Sequence, residues 1–418
     1  MTETDHASRS KTRRKWIYQP DLSQQMAPDV EGARLIIEGV LASGRSLLSD
    51  TESKALLTAF HIPTVTTIEV HSPTEALVAA ESLGFPVALK VSCPELSHKS
   101  DVGGVLLNLN SAQAVHAGYR TLQERVQAHR PGAQIRAFTV ETMAGSPVSR
   151  ELLLGVARDP VFGPVIRFGA GGAGIGPLHD EAVALPPLNG VLVRRLIHRS
   201  RAAALLEPLR RIPGVDRAAV EHALLRVSEM ACELPHIREL EINPLLADER
   251  EVVAVDCRIL VEHPQPAATP YAHMAIHPYP SQLETRTQLP DGSELEIRPM
   301  RPEDAEIEQE FVRGLSPESR YFRFMQSITE LTPDMLVRLT QPDYDNELAL
   351  SALVLQDGSR SQIGVARYAI DPDQESCEFA LVVSDQWRHQ GIGSRLMKQL
   401  LEAARHRGLK RMRAEVLV

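Results

Sequence analysis

Arg388-His389-Gln390-Gly391-Ile392-Gly393 decides how the C-terminal part of this 418-residue chain folds. It follows the apolar run Cys377-Glu-Phe-Ala-Leu-Val-Val383, which reads as a strand. It precedes Ser394-Arg-Leu-Met-Lys-Gln-Leu-Leu401, which has helical spacing. Glycines at 391 and 393 let backbone approach a ligand with no Cβ in the way. The first N–H groups of the next helix lack intrahelical partners, and the helix dipole there favours an anion. The turn therefore reads as a pyrophosphate cradle or, without a ligand, as a plain tight turn. Arg388 beside it suits a phosphate or a surface salt bridge. Within the strand, Glu378 is the one carboxylate, and alternation places it on a face with Ala380 and Val382. Partial burial there would raise its pKa towards neutrality. A carboxylate so placed can act as a general base. The alternative for Glu378 is a solvent-facing edge residue.

Outward from this stretch, Leu295–Met300, Leu348–Leu355 and Gly364–Ile370 read as strands and Pro302–Val312 as a helix. Met412–Val418 reads as a last strand. Pro264, Pro266, Pro270, Pro278 and Pro280 mark residues 263–289 as a linker. Ahead of it, strands and helices mix without strict alternation, which predicts α+β or α/β layers. Ser49 and Asp50 predict the start of a helix carrying Leu56 and Leu57. Lys90 closes the strand run Phe85-Pro-Val-Ala-Leu-Lys90, where a phosphate is the natural partner of its ammonium. Gly103-Gly104 suits a loop closing over an anion. Asn243 and Asp256 stand at the ends of neighbouring strands as hard oxygen donors that suit Mg²⁺; an ordinary Asn-Pro turn is the other reading.

Two family resemblances follow from these residues. Arg388-x-x-Gly391-x-Gly393 in its strand–turn–helix setting, with Leu295-Glu-Ile-Arg-Pro-Met-Arg-Pro-Glu-Asp304, resembles the acetyl-CoA-binding motif and the opening of GNAT-family N-acetyltransferases. The resemblance covers residues 290–418. It implies that Val382, Val383, Gln390, Gly391, Ile392, Gly393 and Ser394 hold acetyl-CoA, with Arg388 at its phosphates and Glu378 as base. Leu47-Leu48-x-x-Thr51-Glu52, Phe85–Lys90, His98–Val105, Arg150–Pro164 and Glu241–Pro244 together resemble the ATP-grasp domain of NDP-forming acyl-CoA synthetases over residues 30–262. That resemblance implies an ATP site with Lys90, His98, Lys99, Gly103 and Gly104 at the phosphates and Glu141 to Met143 beside adenine. It also implies Mg²⁺ at Asn243 and Asp256. His98 matches a loop histidine that carries phosphate in ligases, or is a loop anchor. Gly176 stands where the family usually has a glutamate, which counts against ligase chemistry.

The expected order is thus a polar basic tail (1–29), an ATP-grasp domain, a Pro-rich linker and a GNAT domain. That last domain is expected to be C-terminally incomplete and weakly active or inactive by itself. This order is similar to that of acyl-CoA-synthetase-fused protein lysine acetyltransferases, and Tyr344-Asp-x-Glu347-Leu-Ala-Leu350 supports the likeness. It implies acetyl transfer from acetyl-CoA to lysines of partner proteins, acyl-CoA synthetases among them, with the ATP-grasp part as a regulatory module. Alternatives are an ATP-dependent acyl-CoA ligase subunit and a non-catalytic sensor of nucleotide and acyl-CoA. A formal charge of −9 and 4% aromatic residues argue against a nucleic-acid partner. No apolar run is long enough to span a membrane. Cys93, Cys232, Cys257 and Cys377 are widely spaced, which predicts reduced thiols and a cytoplasmic chain. The oligomeric state is not readable from the sequence.

Overall fold

Ser49, Ser72, Ser111, Asn189 and Asp216 each stand just before an apolar-periodic run, and each caps a helix there. Their side-chain oxygens accept first-turn N–H groups that would otherwise lack partners. Ser49 forms a full capping box with Glu52, whose carboxylate also takes both arms of Arg45 at 2.7 and 2.9 Å. This holds Glu52 far below the ordinary carboxylate range, at about 2, chiefly through the Arg45 hydrogen bonds. The computed structural model describes residues 27–93, 103–172, 181–264, 271–356 and 359–414. The chain divides into one unit spanning Asp21–Ala275 and one containing Ile276–Val418.

The first unit runs α1 (Val30–Ala42), α2 (Asp50–Ala59), β1 (Thr67–Val70), α3 (Pro73–Leu83), β2 (Val87–Ser92), β3 (Val105–Leu109), α4 (Ala112–His129), β4 (Ala137–Thr142), β5 (Arg150–Asp159), β6 (Gly163–Ala170), β7 (Ala182–Ala184), α5 (Gly190–Arg199), α6 (Ala203–Leu206), α7 (Arg217–Glu233), β8 (Ile237–Ala247), β9 (Val252–Ala254) and β10 (Cys257–Val261). It holds two antiparallel sheets. The smaller has the order β1-β4-β2-β3; the larger has β10-β8-β5-β6-β7, with β9 against β8. Helices α3 and α4 cover the small sheet, burying Ala76, Ala80, Leu122 and Val126 against Leu89, Val91 and Val140. A second core joins α1, α2, α5 and α7 to the large sheet through Ile37, Leu57, Val193, Leu224, Leu154 and Phe168. Close-packed apolar faces of this kind carry most of the stability.

The second unit runs β11 (Thr285–Gln288), β12 (Glu294–Pro299), α8 (Ala305–Gly314), α9 (Pro317–Phe324), α10 (Pro333–Thr340), β13 (Glu347–Gln356), β14 (Ser359–Ile370), β15 (Ser376–Val383), α11 (Ile392–His406) and β16 (Arg411–Arg413). Its sheet follows chain order, antiparallel until β16 joins β15 in parallel. Alternation along the strands sorts two cores. Ala352, Ala366 and Cys377 pack under Leu396 and Leu400 of α11. Ala349, Val365 and Val382 pack under Phe311 and Val312 of α8 and Leu339 of α10.

The boundary between the two units falls within residues 263–289, between Ala275 and Ile276, and described parts of this segment are tied to their own unit. Tyr271 Oη donates to Glu233 at 2.8 Å, and His273 Nε2 lies 3.0 Å from the Ala231 carbonyl oxygen. Tyr279 Oη donates to Glu284 at 2.9 Å and accepts from Arg301. Thr285–Gln288 form the edge strand against β12. Polar aromatic side chains find buried partners there, which composition alone does not show. Helices α9 and α10 also escape the sequence reading, although Ser316-Pro317 and Thr332-Pro333 open them with a cap and a first-turn proline. The basic tail, His98, Lys99 and Gly176 lie outside the described residues.

Candidate functional site

Lys90 lies within β2 rather than at its end, and its side chain is buried. Cross-strand pairing sets Ala88 opposite Glu141 and Lys90 opposite Thr139, so Lys90 and Glu141 stand on the same face of the small sheet. Lys90 Nζ lies 2.8 Å from Glu141 Oε2, and Lys54 Nζ of α2 donates to Glu141 Oε1 at 2.7 Å. The Lys90 contact is close but badly directed, leaving Oε2 without a hydrogen bond of good geometry. Lys54 also donates to Thr67 Oγ1 at 2.7 Å. Burial pulls the Glu141 pKa upward, but the two ammonium groups outweigh it and hold the carboxyl below its ordinary value. Burial is also the main force on Lys54, lowering its pKa against the pull of Glu141. The Glu141 side chain is therefore the counter-ion of two lysines. The sequence reading assigns this segment to adenine and does not single out Lys54. The signal for Lys54 is present, since it stands three residues before Leu57 on the buried stripe of α2.

The two sheets of the unit meet at Lys90. Its Nζ donates to the Val255 carbonyl at 3.0 Å, one residue before Asp256. Asp256 in turn pairs by backbone with Asn243, whose N–H donates to the Asp256 carbonyl at 3.0 Å. Asn243 Oδ1 accepts the Gly172 N–H at 2.8 Å, and its Nδ2 donates to Glu241 at 3.3 Å. Gly172 has φ +91°, backbone that favours glycine, and a Cβ there would displace the Glu151 carboxylate. On the other side, the Gly104 carbonyl accepts from Val91 at 3.0 Å, which returns the Gly103-Gly104 turn to the strand that carries Lys90. Lys90, Asn243 and Asp256 are thus brought together. Met143 lies just beyond β4. Asn243 and Asp256 offer the hard oxygens that Mg²⁺ prefers, and they would hold it. Among the described residues no group of three or more His, Cys, Asp or Glu forms a cage. That donor set suits a cation completed by phosphate oxygens and water.

In the second unit, Gly391 has φ +79° and caps α11 without any side-chain hydrogen bond. The amide groups at the start of this helix therefore face outward beside the glycine turn. An apolar groove runs between β15 and α11, lined by Phe379, Leu381, Gly393, Ser394 and Met397. β15 pairs with β16 at Ser376, Cys377 and Glu378, and from Phe379 onward no β16 partner is described. Val382 and Val383 remain paired to Val365 and Gly364 of β14. Glu378 shares its face with Val382, as alternation requires, but it is exposed rather than partly buried. The expected burial is absent because α8 and α10 cover Val382 and Val365, farther along the sheet. Arg388 is engaged: its Nη2 donates to Ser319 at 2.8 Å and lies 2.9 Å from Asp385. Asp385 also accepts from Ser316 N at 2.9 Å and Ser319 Oγ at 2.8 Å, tying α9 to the turn after β15. The bonds from Ser316 and Ser319 help to hold the Asp385 carboxyl below its ordinary pKa. The sequence reading misses Asp385, Ser316 and Ser319, which lie far apart in the chain.

Comparison with known proteins supports both parts. Residues 39–261 match the ATP-grasp domain family, and residues 319–418 match the acetyltransferase (GNAT) family. The chain is 32% identical over 232 residues to the beta subunit of ADP-forming acetate–CoA ligase I of Pyrococcus furiosus, covering 56% of this chain and 99% of that one. An acetyl-coenzyme A synthetase of Ca. Korarchaeum cryptofilum, solved with coenzyme A and Ca-AMPCP, is 33% identical with a TM-score of 0.53, covering 55% of this chain and all of that one. An acetyltransferase of Pseudomonas aeruginosa is 39% identical over 105 residues, which are 25% of this chain and 56% of that protein. On these grounds the chain belongs to the ATP-grasp family, in the branch of the NDP-forming acetyl-CoA synthetase beta subunits, and carries a GNAT acetyltransferase domain behind it.

Proposed function

We propose that this chain transfers acetyl from acetyl-CoA to the ε-amine of lysines in partner proteins. One observation carries the reading: the strand that bears the exposed Glu378 runs into the Gly391 turn and the uncapped start of α11. The turn would hold the pyrophosphate on backbone amides and the helix dipole. The groove beside Phe379 and Leu381 would take the pantetheine arm. Glu378 would accept a proton from the lysine ammonium, directly or through water. The amine nitrogen then bonds to the thioester carbon, the carbon–sulfur bond breaks, and the thiolate of CoA leaves and takes up a proton. Arg388 would exchange Asp385 for phosphate oxygens when the cofactor binds.

The N-terminal unit would act as a nucleotide-responsive module. Lys90 would meet the phosphates, and Mg²⁺ at Asn243 and Asp256 would screen their charge. The second reading, an acyl-CoA ligase subunit, is favoured by a match that covers nearly the whole ligase beta subunit. Gly176, where the ligase family usually has a glutamate, disfavours it. Four buried free thiols and a negative net charge suit a cytoplasmic protein acting on proteins rather than nucleic acid.

Radiolabelled acetyl-CoA and lysine-bearing protein, with and without ATP and Mg²⁺, provide the test. Glu378→Gln is expected to lower the transfer rate by about 10²–10⁴-fold while acetyl-CoA still binds. An unchanged rate removes Glu378 from the base role, and no transfer at all removes the reading. A rate that responds to ATP supports the module.

A further inference from the structure

Arg323 and Arg367, in the second unit, are partly buried, and neither has a carboxylate oxygen within 4.0 Å among the described residues. Arg323, in the last turn of α9, makes no hydrogen bond to a described group; its guanidinium only lies over the Phe324 ring at 4.9 Å. Arg367, on β14, donates through Nη2 to the Leu339 carbonyl at 2.6 Å, and its Nε is buried with no partner. The two repel each other: burial first, then Arg367, pushes Arg323 down to about 10. Both stay charged at neutral pH.

Glu308 acts on both guanidinium groups, and Glu347 on Arg367, only at longer range and without contact. Glu308 of α8 is 2% exposed and accepts from Gln362 Nε2, which is itself held through Ser351 at 2.8 Å. Burial raises its pKa, so it is a reluctant anion. A charge taken out of water without a partner is costly, and guanidinium groups in such places generally meet a carboxylate or phosphate.

Their position names the ligand. Arg367 is cross-strand from Ala380, and Glu378 is cross-strand from Ala369, two residues along β14. Arg367 and Glu378 therefore stand on one sheet face, diagonal to each other at a spacing of about 7–8 Å. An anionic base and a cation with no carboxylate in contact, at that spacing, complement an amine with a carboxylate nearby.

We infer that Arg323 and Arg367 form a carboxylate-recognition site for the acceptor, so that the acetyltransferase selects a lysine with an aspartate or glutamate beside it. This rests on the acetyl-transfer reading of Glu378. The test uses the full chain and paired peptides in which the same lysine is flanked by glutamate or by glutamine, with free lysine as a third acceptor. Wild type is expected to favour the glutamate peptide in kcat/KM by about tenfold to a hundredfold, mostly through KM. In Arg323→Met and Arg367→Met that ratio should fall to near one, and Arg323→Lys should restore part of it. Free lysine matching the glutamate peptide would identify an amino-acid α-carboxylate as the source. No preference in wild type, or a preference unchanged in both methionine variants, overturns the site. Fluorescence anisotropy with the same peptides runs in parallel. If no peptide is acetylated, the transfer reading fails, and tighter binding of the glutamate peptide by wild type alone still decides for or against the site.

Discussion

The charged groups beside the two candidate sites are partnered differently, although the second unit too buries an ion pair, Arg298 with Asp304 at 2.6 Å. In the first, Lys54 and Lys90 close on Glu141 with contacts of 2.7 and 2.8 Å, and a hydroxyl and a carbonyl each take one further donor. In the second, Arg323 and Arg367 have no carboxylate at contact distance among the described residues, and Glu378 lies open to solvent. The nucleotide side is held in shape by its own ions before any ligand arrives. On the acyl-transfer side Arg388 is engaged by Asp385 and Ser319, while Glu378 stays exposed. A site built to hold a polyphosphate gains from a fixed lysine. A site that must accept a proton from a bulky partner gains from an accessible carboxylate.

Removing the shared carboxylate should break this contrast most strongly. Glu141→Ala leaves two ammonium groups buried without a counter-ion, and a loss of about 3–5 kcal/mol is expected for the first unit in denaturant unfolding. Lys54→Met leaves one lysine facing one glutamate and should cost clearly less. Equal losses in the two variants would show that Glu141 acts by packing rather than charge.

Much of this architecture is legible in the sequence. The capped starts at Ser49 and Ser72, the strand carrying Lys90, the neighbourhood of Asn243 and Asp256, and the Gly391 turn all depend on local signals of capping, alternation and backbone freedom. What stays hidden depends on contacts between residues far apart in sequence. Lys54 meets Glu141 across 87 positions, and Arg388 meets Ser319 across 69. No spacing rule links such pairs. The same limit explains why the partners of Tyr271 and Tyr279 in the linker are not read from composition, and why the expectation of burial for Glu378 fails. Its burial depends on where α8 and α10 end, which the strand pattern does not contain.

Two glutamates of opposite character sharpen the contrast next. Glu141 has its pKa held below the ordinary 4.5, so it stabilises the fold above about pH 4.5 and loses that effect as pH falls through its folded value. Glu308 is shifted upward from the same 4.5, so its protonated form suits the fold. Its contribution is full below about pH 4.5 and is lost as pH rises through the folded value. Glu141→Gln should therefore cost most near pH 7 and little at low pH. Glu308→Gln, which keeps a hydrogen-bonding group at the same place, should be neutral at low pH and stabilising near pH 8. Thermal melting across that range checks both, and parallel profiles would mean that neither carboxyl senses its surroundings as described.

The smallest effect separates two glycines of one turn. Gly391 has φ +79°, and a Cβ added there would find nothing within 4 Å, so Gly391→Ala should cost about 1 kcal/mol through backbone strain alone. At Gly393 the added Cβ would meet Leu381 at 3.5 Å and Val383 at 3.6 Å, ordinary contact distances. Gly393→Ala should melt like the wild type. If the amide of Gly393 approaches a pyrophosphate, that same alanine should still weaken acetyl-CoA binding several-fold by calorimetry, because its methyl group narrows the groove beside Leu381. A stable Gly393→Ala protein with unaltered affinity would move the phosphates away from Gly393 and leave Gly391 with a purely conformational role.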